Sequence, residues 1–112
     1  MEIEHSGAVT VVRLFGRLKA GPECQGLEAC VRGLIREDRM RVVLDLAGVE
    51  YLDSMGVGTL AMVSAVAQKA GGGVRLAGAT GRVLGVLKLT RMDVVLVMHQ
   101  SAAEAASGWG GG

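Results

Sequence analysis

The sequence predicts a single α/β domain: a mixed, largely parallel sheet of four to five strands, an N-terminal hairpin, and about four helices packed mainly on one face. Three observations carry this. Short β-rich runs alternate with segments of helical periodicity along most of the chain. The first two β-rich runs, Ile3-Glu4-His5 and Ala8 to Leu14, are separated only by Ser6-Gly7, a hairpin connection rather than a crossover. The 112 residues match a common domain size, with no internal repeat and no linker. Right-handed crossovers between sequentially ordered strands then place the helices mainly on one side.

Each later element has its own signal. Gly16 and Gly21-Pro22 break the chain after the hairpin, and Pro22 suits a first helical position with Glu23 in the first turn. Leu27, Val31, Leu34 and Ile35 keep helical spacing up to Arg36, and Arg36-Glu37-Asp38-Arg39 forms a solvated end. Arg41 to Leu46 reads as a strand covered on both faces. Ser54 to Ala70 is a second helix closed by Gly71-Gly72-Gly73, and Ser54 is expected to cap it. Val74 to Ala77 is a short strand. Thr80 or Gly81 opens a third helix carrying Val83, Leu84, Val86 and Leu87, and Val94 to Val97 is a last strand. Ser101 and Glu104 make a capping-box pattern before an alanine-rich fourth helix. The domain is expected over 1–106, with 107–112 a flexible glycine-rich tail.

Composition excludes several functions. Half the residues are hydrophobic but only Phe15, Tyr51 and Trp109 are aromatic, so Val, Leu, Ala and Met must build the core. A net charge of +1 and the lack of stacking platforms argue against nucleic acid. The acidic opening Met1-Glu2-Ile3-Glu4-His5 lacks the layout of a signal peptide. The longest uncharged run, Ser54 to Gln68, is glycine-interrupted and too short to span a bilayer. The expectation is a cytoplasmic domain without membrane insertion. Cys24 and Cys30, six apart in one helix, fit neither a disulfide framework nor a zinc site and read as small buried residues.

Chemistry concentrates around Ser54. Gly56-Val57-Gly58-Thr59-Leu60-Ala61 matches a dinucleotide fingerprint, but it trails Leu46 by ten residues and no acid follows before Asp93. The two glycines read instead as keeping the first helical turn uncovered around Ser54. Ser54 lies in Asp-Ser-Met-Gly, not a nucleophile elbow, and His5 and His99 sit at opposite ends of the chain. Asp45 in its apolar strand reads as satisfying local backbone donors rather than pairing with Asp53. Neither an enzyme nor a metal or other cofactor is expected. A phosphate on Ser54 would meet the positive end of a helix and add about −1.5 to −2 charge beside Asp53. Met55, Thr59, Met62 and Val66 form a second apolar stripe beside Val57, Leu60, Ser64 and Ala67, either buried by adjacent helices or presented to a partner. Lys69, Arg75, Arg82, Lys88 and Arg91 give Ser54 to Met92 a local +5 without an acid, which either steers an acidic partner or is a solvated face.

Val42-Val43-Leu44-Asp45-Leu46, Val49 and Leu52-Asp53-Ser54-Met55-Gly56 together resemble the central signature of STAS domains, and more narrowly of bacterial anti-sigma factor antagonists. The likeness extends to Gly16-Arg17-Leu18, Gly73-Val74-Arg75-Leu76 and Val83 to Met92. It implies a STAS-like fold and a switch: an anti-sigma factor that is itself a serine kinase phosphorylates Ser54, the unphosphorylated chain sequesters that factor, and a serine phosphatase reverses the modification. Asp53, Met55, Gly56, Thr59 and Met62 would line the partner surface. Arg17 and Lys19 would join them from a loop where the family commonly has acids. The other role the resemblance implies is an unphosphorylated subunit of a lipid-transport ATPase complex or a stress-signalling scaffold.

Overall fold

The computed structural model describes residues 1–107 and Trp109. Its elements are β1 (Glu2–Ser6), β2 (Val9–Leu18), α1 (Pro22–Arg36), β3 (Arg41–Leu52), α2 (Ser54–Lys69), β4 (Gly73–Ala77), α3 (Gly81–Leu89), α4 (Met92–Val95), β5 (Val97–His99) and α5 (Ala102–Ser107). The five strands lie in sequence order. β1 runs antiparallel to β2, and every other neighbouring pair is parallel. This is the mixed sheet that the hairpin and the alternating periodicities predict.

The sheet has two unequal faces. Val12, Leu14, Val42, Leu44, Leu46, Val74 and Leu76 point to one side and pack with residues of α1 to α4, among them Leu27, Val31, Leu60, Val63 and Leu87. Val9, Val11, Val43 and Ala77 point to the other, where α5 supplies Ala105. The helices therefore gather on one face, and among the described residues the short C-terminal helix and Trp109 cover the opposite one. Burying aliphatic side chains on both faces is what makes β3 read as an unbroken apolar run.

Four local expectations are corrected. β2 and β3 run to Leu18 and Leu52, well past Leu14 and Leu46. Gly16 is not a break: it pairs with Val49 within a ladder whose register shifts between Arg13 and Phe15 and again between Gly16 and Arg17. Gly48 makes the irregularity feasible, since a Cβ there would stand 2.5 Å from the Phe15 ring. The last strand is Val97–His99 rather than Val94–Val97. Arg91 takes a left-handed conformation and starts the four-residue turn α4, which buries Met92 and Leu96 before pairing with β4 begins. Part of the expected tail belongs to the folded unit: Ser107 ends α5, and Trp109 stacks on Arg75 at 4.4 Å and packs on the second cluster. The remaining tail positions, 108 and 110–112, lie outside the described residues.

Among the described residues no helix is long and apolar enough to cross a membrane.

Candidate functional site

The site forms where β3 ends and α2 begins. Asp53, not Ser54, caps α2: its Oδ1 accepts from the Gly56 N–H at 2.7 Å, and its backbone is extended as a cap requires. Ser54 is thereby the first helical residue. It is exposed, and its hydroxyl makes no hydrogen bond to a described residue. Serine and aspartate are comparable caps by residue type, so only the local geometry decides between neighbours.

Asp53 also fastens a second segment. Its Oδ2 accepts from the Ala20 N–H at 3.1 Å, and its own N–H donates to the Leu18 carbonyl at 3.4 Å. The chain leaving β2 is thus tied to the start of α2 through one carboxylate. The N–H groups of Gly56 and Ala20, in that order, hold the carboxyl below its usual value. A group so lowered stabilises the fold fully above its unfolded value near 3.9 and loses that contribution as pH falls through the folded value. We therefore expect wild type to lose melting temperature relative to Asp53→Asn as pH drops below about 4, because asparagine still caps but does not titrate. A constant difference between the two across pH 2.5 to 7, measured by circular dichroism, would contradict this role.

Gly56 is placed by packing. A Cβ on it would lie 2.4 Å from the Leu18 carbonyl oxygen and 2.7 Å from Leu52 Cδ1, so only glycine lets α2 start against β2. Gly58 is exposed, with open space around its Cα. The two glycines thus have different causes, and only Gly58 leaves the first turns uncovered.

The other expected partner residues divide. Met55 is 56% exposed beside Ser54. Thr59, expected on the docking stripe, is instead buried, with its hydroxyl donating to the Met55 carbonyl at 2.8 Å. Met62 is half-buried, with its Sδ 3.7 Å from Arg32 Nη2 of α1. Val57, Leu60, Ser64 and Ala67 are all buried, so that stripe belongs to the core. Arg17 lies within β2 rather than in a loop, and its guanidinium sits 4.7 Å from the centre of the Tyr51 ring. Lys19 is exposed in the stretch between Leu18 and Ala20, the two residues that bind Asp53. Tyr51 escaped the sequence reading. An aromatic one residue before the conspicuous Leu52-Asp53-Ser54 run was its available signal, hidden because β3 appeared to stop at Leu46.

Other chemically capable groups have settings of their own, and the buried Nε2 of His99 has no hydrogen-bond partner among the described residues. Asp45 accepts from the Ala47 N–H at 3.0 Å and faces Arg13 at 3.7 Å, sharing no hydrogen-bond or ion-pair partner with Asp53 among the described residues. The His5 ring meets Thr10 Oγ1 and the His99 ring meets Glu104. Cys24 and Cys30 are free thiols, and burial pushes the Cys30 thiol up, away from nucleophilic character.

This fold, a five-stranded mixed sheet with helices gathered on one face, is that of the STAS class. The family profile described as "Mlab, STAS domain" matches residues 1–98, and the chain belongs to the STAS family. Solved structures share the architecture at low identity. An anti-sigma factor antagonist from Mycobacterium paratuberculosis is 24% identical, with TM-score 0.81 over 93% of this chain and 87% of its own. The Bacillus cell fate determinant SpoIIAA in its phosphorylated form is 19% identical, with TM-score 0.72 over 93% of this chain and 94% of its own. A sulfate transporter family protein from Wolinella succinogenes is 17% identical, with TM-score 0.70 over 89% of this chain and 83% of its own. One fold thus serves regulators and a transporter family protein, so function must be argued from the site.

Proposed function

We propose that this protein is an anti-sigma factor antagonist whose partner binding is switched by phosphorylation of Ser54. The observation that carries the reading is the exposed Ser54 at the first residue of α2, with the capping role already taken by Asp53. A phosphate there lies at the positive end of the helix and next to the Asp53 carboxylate. Unphosphorylated, the chain sequesters an anti-sigma factor that is itself a serine kinase. Modification places a dianion in the desolvated contact, and a serine phosphatase restores binding. The contact is built from Asp53, Ser54, Met55, Gly56 and Met62, flanked by Arg17 and Lys19, with Thr59 supporting Met55 from beneath. The likeness to a structure named as an anti-sigma factor antagonist and to one named as a cell fate determinant in its phosphorylated form supports the same reading.

Incubation with the cognate kinase and ATP should place one phosphate on Ser54, mapped by mass spectrometry, and none on Ser54→Ala. Ser54→Asp should weaken partner binding at least tenfold, about 1.4 kcal/mol, while Ser54→Ala binds like wild type. Equal affinity of the aspartate variant and wild type sinks the switch.

Arg17 and Lys19 favour one other reading, an unphosphorylated STAS subunit of a lipid-transport ATPase complex or a stress-signalling scaffold, because they place cations where the antagonist family commonly carries acids. Recovery of an ABC-type ATPase in a pull-down, undiminished by Ser54→Asp, decides for that reading.

A further inference from the structure

β2 outruns the strand beside it. β1 pairs with β2 only from Val9 to Arg13, whereas β2 continues to Leu18. Beyond Arg13 no strand lies on its outer side among the described residues. Neighbouring contacts fix where the main-chain groups point. The Leu14 carbonyl faces β3, since a Cβ on Gly48 would stand 3.0 Å from its oxygen, and the Leu18 carbonyl accepts from the Asp53 N–H at 3.4 Å. No peptide bond among the described residues is cis, so the Phe15 and Lys19 N–H groups point the opposite way, out of the sheet edge. The alternation of β2 persists here, because both irregularities put the extra residue on β3: Arg13 to Phe15 faces Asp45 to Gly48, and Gly16 to Arg17 faces Val49 to Tyr51. Gly16 absorbs a φ of 77°, and Leu14 and Leu18 stay buried on the helical side while Phe15 and Arg17 are exposed.

A cavity opens on the same edge. Met1, Leu14, Leu18, Pro22 and Gly26 line about 220 Å³ between β2 and the start of α1, and Glu23 borders it. On the other side of the strand, Phe15 lies against Gly48 and Arg17 sits on Tyr51. Arg17 and Lys19 have no carboxylate partner among the described residues. β1 shows what β2 accepts as a neighbour. Ile3, opposite Val12, lies on the helical side, and Glu4 on the other side meets Arg13 at 2.8 Å.

We infer that an extended segment of a partner protein, carrying an acid between two aliphatic residues, adds to β2 from Phe15 to Lys19, antiparallel and in line with β1. Its carbonyls accept from the outward N–H groups, and its alternate side chains supply the selectivity. The aliphatic residues enter the cavity, from which Glu23 repels an acid. The acid projects to the other side, opposite Arg17, as Glu4 does toward Arg13. A second copy of the same edge is a poor occupant, because antiparallel pairing sets Arg17 and Lys19 of one copy against those of the other. The edge ends at Ala20, whose N–H binds Asp53, so it is continuous with the surface around Ser54. The inference does not rest on modification of that serine.

The test titrates the nitrogen-15-labelled full chain with the peptide acetyl-Thr-Ile-Glu-Leu-Tyr-amide, followed by amide NMR. Saturable shifts should centre on Phe15 to Lys19 and on Gly26, with a dissociation constant of about 1 mM or tighter. Hydrogen exchange at the Phe15 and Lys19 N–H groups should slow on binding. Methylating the peptide nitrogens of Glu and Tyr, which face β2 in this pairing, should abolish binding. Replacing the peptide Glu by Lys should weaken it about tenfold, and Arg17→Glu should reverse that preference. Arg17 is exposed, so the variant should keep the wild-type circular dichroism spectrum. Should it fail to fold, Arg17→Gln takes its place and should erase the preference. No saturable shift up to the solubility limit, equal binding of the methylated peptide, or a preference unchanged by the Arg17 variant each overturns the inference. So do concentration-dependent shifts of Phe15 and Lys19 without peptide, which would assign the edge to a second copy.

Discussion

Gly56→Ala should destabilise the protein, and Gly58→Ala, two residues further along the same helix, should stabilise it. Helix propensity alone favours alanine at both positions by up to about 1 kcal/mol. At Gly58 nothing opposes that preference, and a gain of about 0.5 to 1 kcal/mol is expected. At Gly56 the new methyl would sit 2.4 Å from a backbone oxygen of β2, which cannot swing aside as a side chain would. Overpacking of this kind costs about 1 to 3 kcal/mol, occasionally more, and here it outweighs propensity. The expected net loss is about 2 kcal/mol, a fall in melting temperature of about 10 °C in a domain of this size. Relief of the clash must move α2 away from β2, so Gly56→Ala should also loosen the Asp53 contacts with Ala20 and Leu18 and weaken partner binding. Thermal melts of both variants decide the matter; a Gly56→Ala protein as stable as Gly58→Ala would show that α2 does not start tightly against β2.

Leu44→Ala should cost about 2 to 5 kcal/mol, against about 5 to 15 kcal/mol of total stability for a typical domain. Leu44 is fully buried on the central strand, paired in register with Val12 on one side and Leu76 on the other. With aromatic residues nearly absent from this chain, medium-sized aliphatic side chains fill the core, and few can shift to close a gap left in the middle strand. Urea denaturation should show a large fall in midpoint. Leu89→Ala, which removes the same atoms from an 85% exposed position, should change stability by no more than about 0.5 kcal/mol. Comparable losses in the two variants would contradict the assignment of the core.

Much of the architecture is legible in the sequence because it rests on periodicity. Leu27, Val31 and Leu34 recur at helical spacing and are buried, and Val42-Val43-Leu44 is apolar throughout because β3 is covered on both faces. Punctuation is less legible. Gly16 looks like a chain break, yet it lies within a continuous β2–β3 ladder beside its register shifts, because a glycine that allows a bulge is indistinguishable in sequence from one that ends a strand. Val94 and Val95 have strong β propensity but sit in a helical turn, since burying Met92 and Leu96 is worth more than local preference.

By itself the sequence determined the order and type of most elements, the aliphatic character of the core, and the prominence of Asp53-Ser54-Met55-Gly56. These follow from properties carried by short stretches of chain: hydrophobic spacing, turn residues and a local motif. Only the tertiary structure decided that Asp53 is the cap and Ser54 the exposed first residue, that Thr59 is buried, and that Gly56 and Gly58 exist for different reasons. The placing of Asp53 and the cause of Gly56 depend on the end of β2 and the residues just after it, more than thirty residues earlier: the Leu18 carbonyl and the Ala20 N–H meet the start of α2 only once the sheet has formed. Contacts between distant segments leave no periodic trace in the chain that makes them.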